Sequence, residues 1–201
     1  MVAARDPHLA FVVILAAPGV RGELLMVEQI ALGTKAAGTP DEAVARERAL
    51  NRAVFAAMVA EPRVDLAGDR ARQMMEEGER KGILRAGTAA ARAKAFASPW
   101  FHAFLRHEPG PALKSLRQPI LVLNGERDLQ VPAAMNLGAI RAALEDNPRA
   151  FVKELPALNH LFQTARSGAG LEYAEIEESM GTILRRAFRD PSYTLIFLGL
   201  F

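Results

Sequence analysis

The sequence predicts an α/β protein: a parallel sheet carrying a large helical insertion. Three features lead there. Phe11-Val12-Val13-Ile14-Leu15, Ile120-Leu121-Val122-Leu123 and Phe151-Val152-Lys153-Glu154-Leu155 are short runs rich in β-branched and large apolar residues, each followed by a proline or glycine turn signal. Continuous runs of this kind read as strands buried on both faces, the usual burial of parallel sheets. One helix-length segment separates the second run from the third, giving strand, helix, strand. From Gly22 to Glu108, between the first and second runs, no convincing strand occurs.

The 201 residues fit one domain or slightly more. Half are apolar and 24% are charged, which excludes a disordered chain. No cysteine is present, so disulfide scaffolds, thiolate metal sites and a cysteine nucleophile are excluded. That composition fits a reducing compartment and exported proteins alike. The net charge is +2, and the 20 arginines and 5 lysines are interleaved with acids, as in Arg46-Glu47-Arg48 and Glu79-Arg80-Lys81. Nucleic-acid binders concentrate basic charge on one face, so no nucleic-acid partner is expected.

The first strand follows Met1 to His8, which carries one Arg and one Asp rather than a positive leader region, and Pro18-Gly19 makes a turn rather than a cleavage site. No apolar run reaches the roughly 18 residues of a membrane-spanning helix. Within the insertion, Thr39-Pro40-Asp41-Glu42 predicts a helix start, with Thr39 as N-cap, Pro40 at the first helical position and Glu42 completing a capping box. Leu50, Val54, Ala57 and Met58 then share one face. Ser98-Pro99 starts another helix, which carries Trp100, Phe101 and Phe104. Pro119 opens the second strand and Asn124-Gly125 ends it. Pro132 to Asn147 places Leu137, Ile140, Arg141 and Leu144 at helical spacing, and Pro156 closes the third strand. Leu171 to Arg189 predicts a last amphipathic helix, with Ile176, Met180, Ile183, Leu184, Ala187 and Phe188 on one face. Asp190-Pro191 should stop it. The apolar tail within 191–201 either tucks into a groove of the sheet or is foreign sequence. Because buried strands need neighbours on both sides, an uncovered edge is expected at the first strand.

Two residues stand where open α/β sheets place their chemistry, beyond the C-terminal ends of parallel strands. Asp128 follows the second strand, in Asn124-Gly125-Glu126-Arg127-Asp128-Leu129-Gln130-Val131-Pro132. His160 follows the third, in Leu158-Asn159-His160-Leu161-Phe162. Adjacent strands bring the two loops side by side. A carboxylate there can accept the imidazole Nδ1–H, leave Nε2 as a base and stabilise the imidazolium that forms. Asp128 also fits a helix-capping or turn residue, and His160 a loop histidine bonded to backbone.

The segment Pro119 to Pro132 resembles the acid-bearing strand and turn of the serine α/β-hydrolases, and Leu155 to Phe162 resembles their histidine loop. The order, acid before histidine, is the one that family uses after its serine. Phe11 to Gly19 resembles the strand following the nucleophile helix, and the helices ending in Ser98-Pro99-Trp100-Phe101 resemble the cap of an esterase-like branch. The resemblance runs from residue 1 to about residue 180. It implies that 1–21 and 109–190 form the C-terminal part of an α/β-hydrolase core, with only the C-terminal strands of its parallel sheet. Residues 22–108 would be a helical cap insertion, and 191–201 an apolar tail of unclear origin. It also implies Asp128 as triad acid, His160 as base, Trp100, Phe101 and Leu161 as substrate-binding residues, and a small ester or acyl substrate. Trp100 and Phe101 fit equally a role in packing the cap onto the sheet. No cofactor or metal is implied.

The sequence departs from that family at the nucleophile. Ser98, Ser115, Ser167, Ser179 and Ser192 all lack the Gly-x-Ser-x-Gly setting of a strained strand-to-helix turn. The expected serine and its oxyanion donors would precede Met1, so the chain is expected to be the back half of a hydrolase, inactive alone. The competing expectation is a degenerate paralogue acting at most as an interaction module. His102 and His107 lack the i, i+4 spacing of two metal ligands on one helix face, Gly168-Ala169-Gly170 lacks the strand of a dinucleotide loop, and no phosphate-binding loop occurs.

Overall fold

The computed structural model describes residues 2–6 and 8–179. Its strands are β1 (Val12–Leu15), β2 (Ile120–Gly125) and β3 (Ala150–Leu155). Its α-helices are α1 (Gly22–Ala36), α2 (Asp41–Ala60), α3 (Val64–Arg80), α4 (Ala89–Phe96), α5 (Pro99–Arg106), α6 (Gly110–Lys114) and α7 (Ala133–Ala143). The chain forms two compact units. Met1–Val20 with Pro109–Phe201 make the sheet unit, and Arg21–Glu108 make the helical unit. No helix among the described residues is long and apolar enough to cross a membrane.

The sheet has order β1-β2-β3, with both pairings parallel. Val12 to Leu15 align with Ile120 to Leu123, and Ile120 to Gly125 with Ala150 to Leu155. Every residue of β2 is buried, as a central strand requires. Its side chains alternate between two cores. Ile120 and Val122 join Leu113, Leu116, Leu137, Ile140 and Leu144, while Leu121 and Leu123 join Leu155, Leu158 and Phe162. The expected face of Leu137, Ile140 and Leu144 is thus the packed face of α7, but Arg141 turns outward and donates to Val152 O.

The expected two-sided burial of the first strand does not hold. Phe11 and Val13 remain 43% and 41% exposed. The run length that signals a buried strand carries no information about lateral neighbours, and β1 is an edge strand among the described residues. The last helix also differs from expectation. Gly170–Glu175 is a single 3-10 helix, and 176–179 are not helical. Hydrogen bonds from the 166–168 backbone to Glu172 fix this turn and outweigh the amphipathic spacing. The remainder of that helix and the tail at 191–201 lie outside the described residues.

The helical unit is held by apolar packing. Phe55, Phe96 and Phe101 form a ring cluster, with Phe96 stacked on Phe101 at 4.9 Å and Phe55 edge-on to both. Val54, Met58, Ala71, Met75 and Leu105 complete the core. The first helix after Thr39 starts one residue later than expected. Pro40 is the N-cap, with an extended ψ of 143°, and no side chain caps the helix. Asp41 and Glu42 stand in the first turn, where negative charge suits the helix dipole. By contrast, Ser98 does cap α5, accepting the Phe101 N–H at 3.1 Å. α5 in turn satisfies the end of α2: Arg106 donates to Val59 O and Glu61 O, and His102 Nε2 donates to Glu61 O at 2.8 Å. Asn51 is buried with neither amide atom partnered.

Candidate active site

β2 and β3 end side by side, and the residues beyond them interlock. Gly125 ends β2 so close to the base loop that a Cβ there would stand 2.2 Å from Leu158 O. The Glu126 and Arg127 N–H groups donate to Leu155 O and Leu158 O, both at 2.9 Å. Glu126 accepts the Ala157 N–H at 2.8 Å, and the Arg127 guanidinium donates to Ala165 O. These bonds join the acid turn to the base loop along their length.

Asp128 is buried, with no exposed side-chain surface. A carboxylate in that position needs every partner it can find. Oδ1 accepts the N–H groups of Gln130 at 2.9 Å and Val131 at 2.7 Å. Oδ2 accepts His160 Nδ1–H at 2.9 Å, with the Asn124 amide at 3.4 Å. Asp128 is thus a turn residue through Oδ1 and the hydrogen-bond partner of an imidazole through Oδ2. With the proton on Nδ1, His160 Nε2 carries the ring's lone pair, and 27% of the side chain is exposed.

Asn159 shapes the base loop. It is fully buried, and its Oδ1 accepts the N–H groups of Leu161 and Gln163, both at 3.0 Å. The loop is also strained. Ala157 and Phe162 have φ of 59° and 57°, and Ala16, just past β1, has 46°. Each such residue costs about 1–3 kcal/mol, and such strain clusters at functional sites. All three lie beyond the C-terminal ends of strands.

Leu161 follows His160 and is 42% exposed. Trp100, in the helical unit, is 71% exposed and stacks on Phe104 at 5.3 Å. Phe101 instead belongs to the core of that unit, between Phe55 and Phe96. Ser98 caps α5, Ser115 Oγ donates to Ala112 O, and Ser167 Oγ donates to Glu172. His102 is a buried histidine bonded to backbone, and no group of three or more His, Cys, Asp or Glu among the described residues is placed to hold a metal ion.

Three residues near the pair gave no signal in the sequence. Gln130 and Tyr173 meet at 3.5 Å, and Tyr173 also accepts the His160 N–H at 3.3 Å. Glu172 accepts backbone N–H groups of Arg166, Ser167 and Gly168 and the Ser167 hydroxyl, which together hold its carboxyl at about 2, well below the ordinary 4.5. No spacing rule reports contacts made by a returning loop. No protein-family model matches the chain, and comparisons with curated proteins and with solved structures found no significant match.

Proposed function

We propose that Asp128 and His160 are the acid and base of a serine-type acyl hydrolase, within the C-terminal part of an α/β-hydrolase core. The observation that carries this is the 2.9 Å bond from His160 Nδ1 to buried Asp128 at the strand ends. The nucleophilic serine would come from outside these 201 residues, since none of the five serines has the required setting. In that reaction the serine oxygen bonds to the acyl carbon while its proton passes to His160 Nε2. The imidazolium then protonates the leaving alcohol. Nε2 next takes a proton from water, which cleaves the acyl-serine. Asp128 keeps the Nδ1 proton in place and stabilises the positive ring. Leu161, next to His160 and 42% exposed, is proposed to touch an apolar acyl group.

Acyl transfer from p-nitrophenyl acetate tests the reading. The chain should release p-nitrophenol above the buffer rate, with His160→Gln lowering release to the level set by the exposed His8 and His107. Asp128→Asn should lower the His160-dependent release by about tenfold or more, because the ring loses its orienting acceptor. Equal release from the chain and His160→Gln would remove His160 as an acyl-transfer base. A fluorophosphonate probe should label no serine, and a labelled serine would place the nucleophile inside this chain. A second reading, a non-catalytic interaction module, is favoured by the exposed Val13 on β1, an edge strand among the described residues. An inert His160 would support it.

A further inference from the structure

The His160–Asp128 bond is short, yet the loop that carries His160 is strained on both sides of it, at Ala157 and Phe162. Something must hold that loop against relaxation. Asn159 accounts for its inner shape, and the Arg127 bonds for its path over the acid turn. Neither touches His160 itself. Tyr173 does. It stands in the 3-10 helix Gly170–Glu175, and its hydroxyl oxygen accepts the His160 backbone N–H at 3.3 Å. The same oxygen accepts the Gln130 side-chain amide at 3.5 Å, and the Gln130 backbone N–H is bound to Asp128. One phenol oxygen thus ties the base to the turn that carries its acid.

Tyr173 is placed by its neighbour. The Glu172 carboxylate collects the Ser167 N–H at 2.9 Å, the Ser167 hydroxyl at 2.8 Å, the Gly168 N–H at 3.0 Å and the Arg166 N–H. Gly168 itself is seated on the acid turn: its φ is +75°, and a Cβ there would lie 1.9 Å from Arg127 O. The segment 166–168 therefore packs closely on the Arg127 backbone, and Glu172 fastens the 3-10 helix to that segment. Through it Tyr173 has a fixed station beside both loops.

Resting on the acid–base reading above, we propose that Tyr173, anchored by Glu172, is a positioning residue that holds His160 over Asp128. It touches no reacting atom; it acts on the backbone of the base. Both of its contacts are longer than an ordinary hydrogen bond, so removing the hydroxyl should loosen the base rather than release it.

The test uses the full chain labelled with 15N, with the ring nitrogens of His160 read by NMR and His8, His102 and His107 as controls in the same spectrum. In the unaltered chain the His160 shifts should report a proton held on Nδ1. In Tyr173→Phe they should move toward a larger share of the Nε2–H tautomer, and the His160 amide should exchange about threefold faster or more. The control histidines should stay in place. Glu172→Gln, which keeps the side chain's size, should move the His160 signals in the same direction. Asp128→Asn separates the two ideas. If Asp128→Asn moves the ring signals while Tyr173→Phe and Glu172→Gln leave them unchanged, the positioning role is overturned and the pair stands. If Asp128→Asn also leaves them unchanged, the pair itself falls and the positioning role with it.

Discussion

The core of the helical unit and the C-terminal edge of the sheet are held by different means. In the helical unit, positive φ occurs only at glycines, and a cluster of three phenylalanine rings anchors the core. At the C-terminal edge of the sheet, three non-glycine residues adopt positive φ, and the Asp128 carboxylate, with no exposed side-chain surface, is bonded on both oxygens. Apolar area maintains the first and directed hydrogen bonds maintain the second. The difference teaches where chemistry can reside. An apolar core tolerates small shifts, whereas a proton-transfer pair needs fixed distances, and interlocked polar contacts supply them.

The contrast can be broken most forcefully at Phe55. Phe55→Ala removes a fully buried ring and should cost about 3–5 kcal/mol in denaturant unfolding. The His160 ring signals of the native fraction should not change; if they do, the two means of stabilisation are not separate. Gly168→Ala should cost less, about 1–3 kcal/mol from backbone strain, but it should disturb His160 because the new Cβ pushes Arg127 O away from the loop. An unchanged His160 spectrum would show that the interlock is not what holds the base.

Acid gives the smallest effect. The Glu172 carboxyl is held at about 2 by the N–H groups it accepts. A depressed value means its contribution is full above its ordinary 4.5 and is lost as pH falls toward about 2. Amide exchange in 166–168, corrected for its intrinsic pH dependence, should therefore accelerate across that window, and Glu172→Gln should abolish this pH response. In the helical unit, Glu79 is also held below the ordinary carboxylate range, by the Gly87 and Ala89 N–H groups. Its own acid response should survive Glu172→Gln. A simultaneous loss of both responses would contradict the separation.

Legibility in the sequence followed the same division. Apolar runs located β2 and β3 to within two residues: β2 is continuously buried as a central parallel strand, while β3, half-buried and carrying Lys153 and Glu154, was marked by Phe151, Val152 and the closing Pro156. The meeting of Asp128 and His160 followed from the strand, helix, strand order that carries them. The edge position of β1 agrees with the uncovered edge expected there, whereas the exposure of Val13 could not be read from the apolar run itself. Nor was the start of α2: a Thr-Pro-Asp-Glu sequence fits two adjacent phases, and the extended ψ of Pro40 selects the later one. Gln130, Glu172 and Tyr173 were silent because tertiary return of a loop leaves no periodic mark.

The hydrogen bond from Gly22 N–H to His107 O, 3.1 Å, joins the first residue of the helical unit's opening helix to the residue just after its last one. A Cβ at Gly22 would stand 1.9 Å from Phe104 O, so glycine is what permits the approach. This has a consequence for the order of assembly. β1 and β2 pair in register although Val12 and Ile120 are separated by most of the chain. For an open loop of that length, bringing the ends together costs roughly 4 kcal/mol of chain entropy. If the helical segment folds first, its two ends arrive already fastened, and only short tethers remain for β1 to reach its partner. The expected sequence of events is local helix packing first and the long-range strand pairing last, with the closing rate of the sheet set by how well Gly22 and His107 hold together.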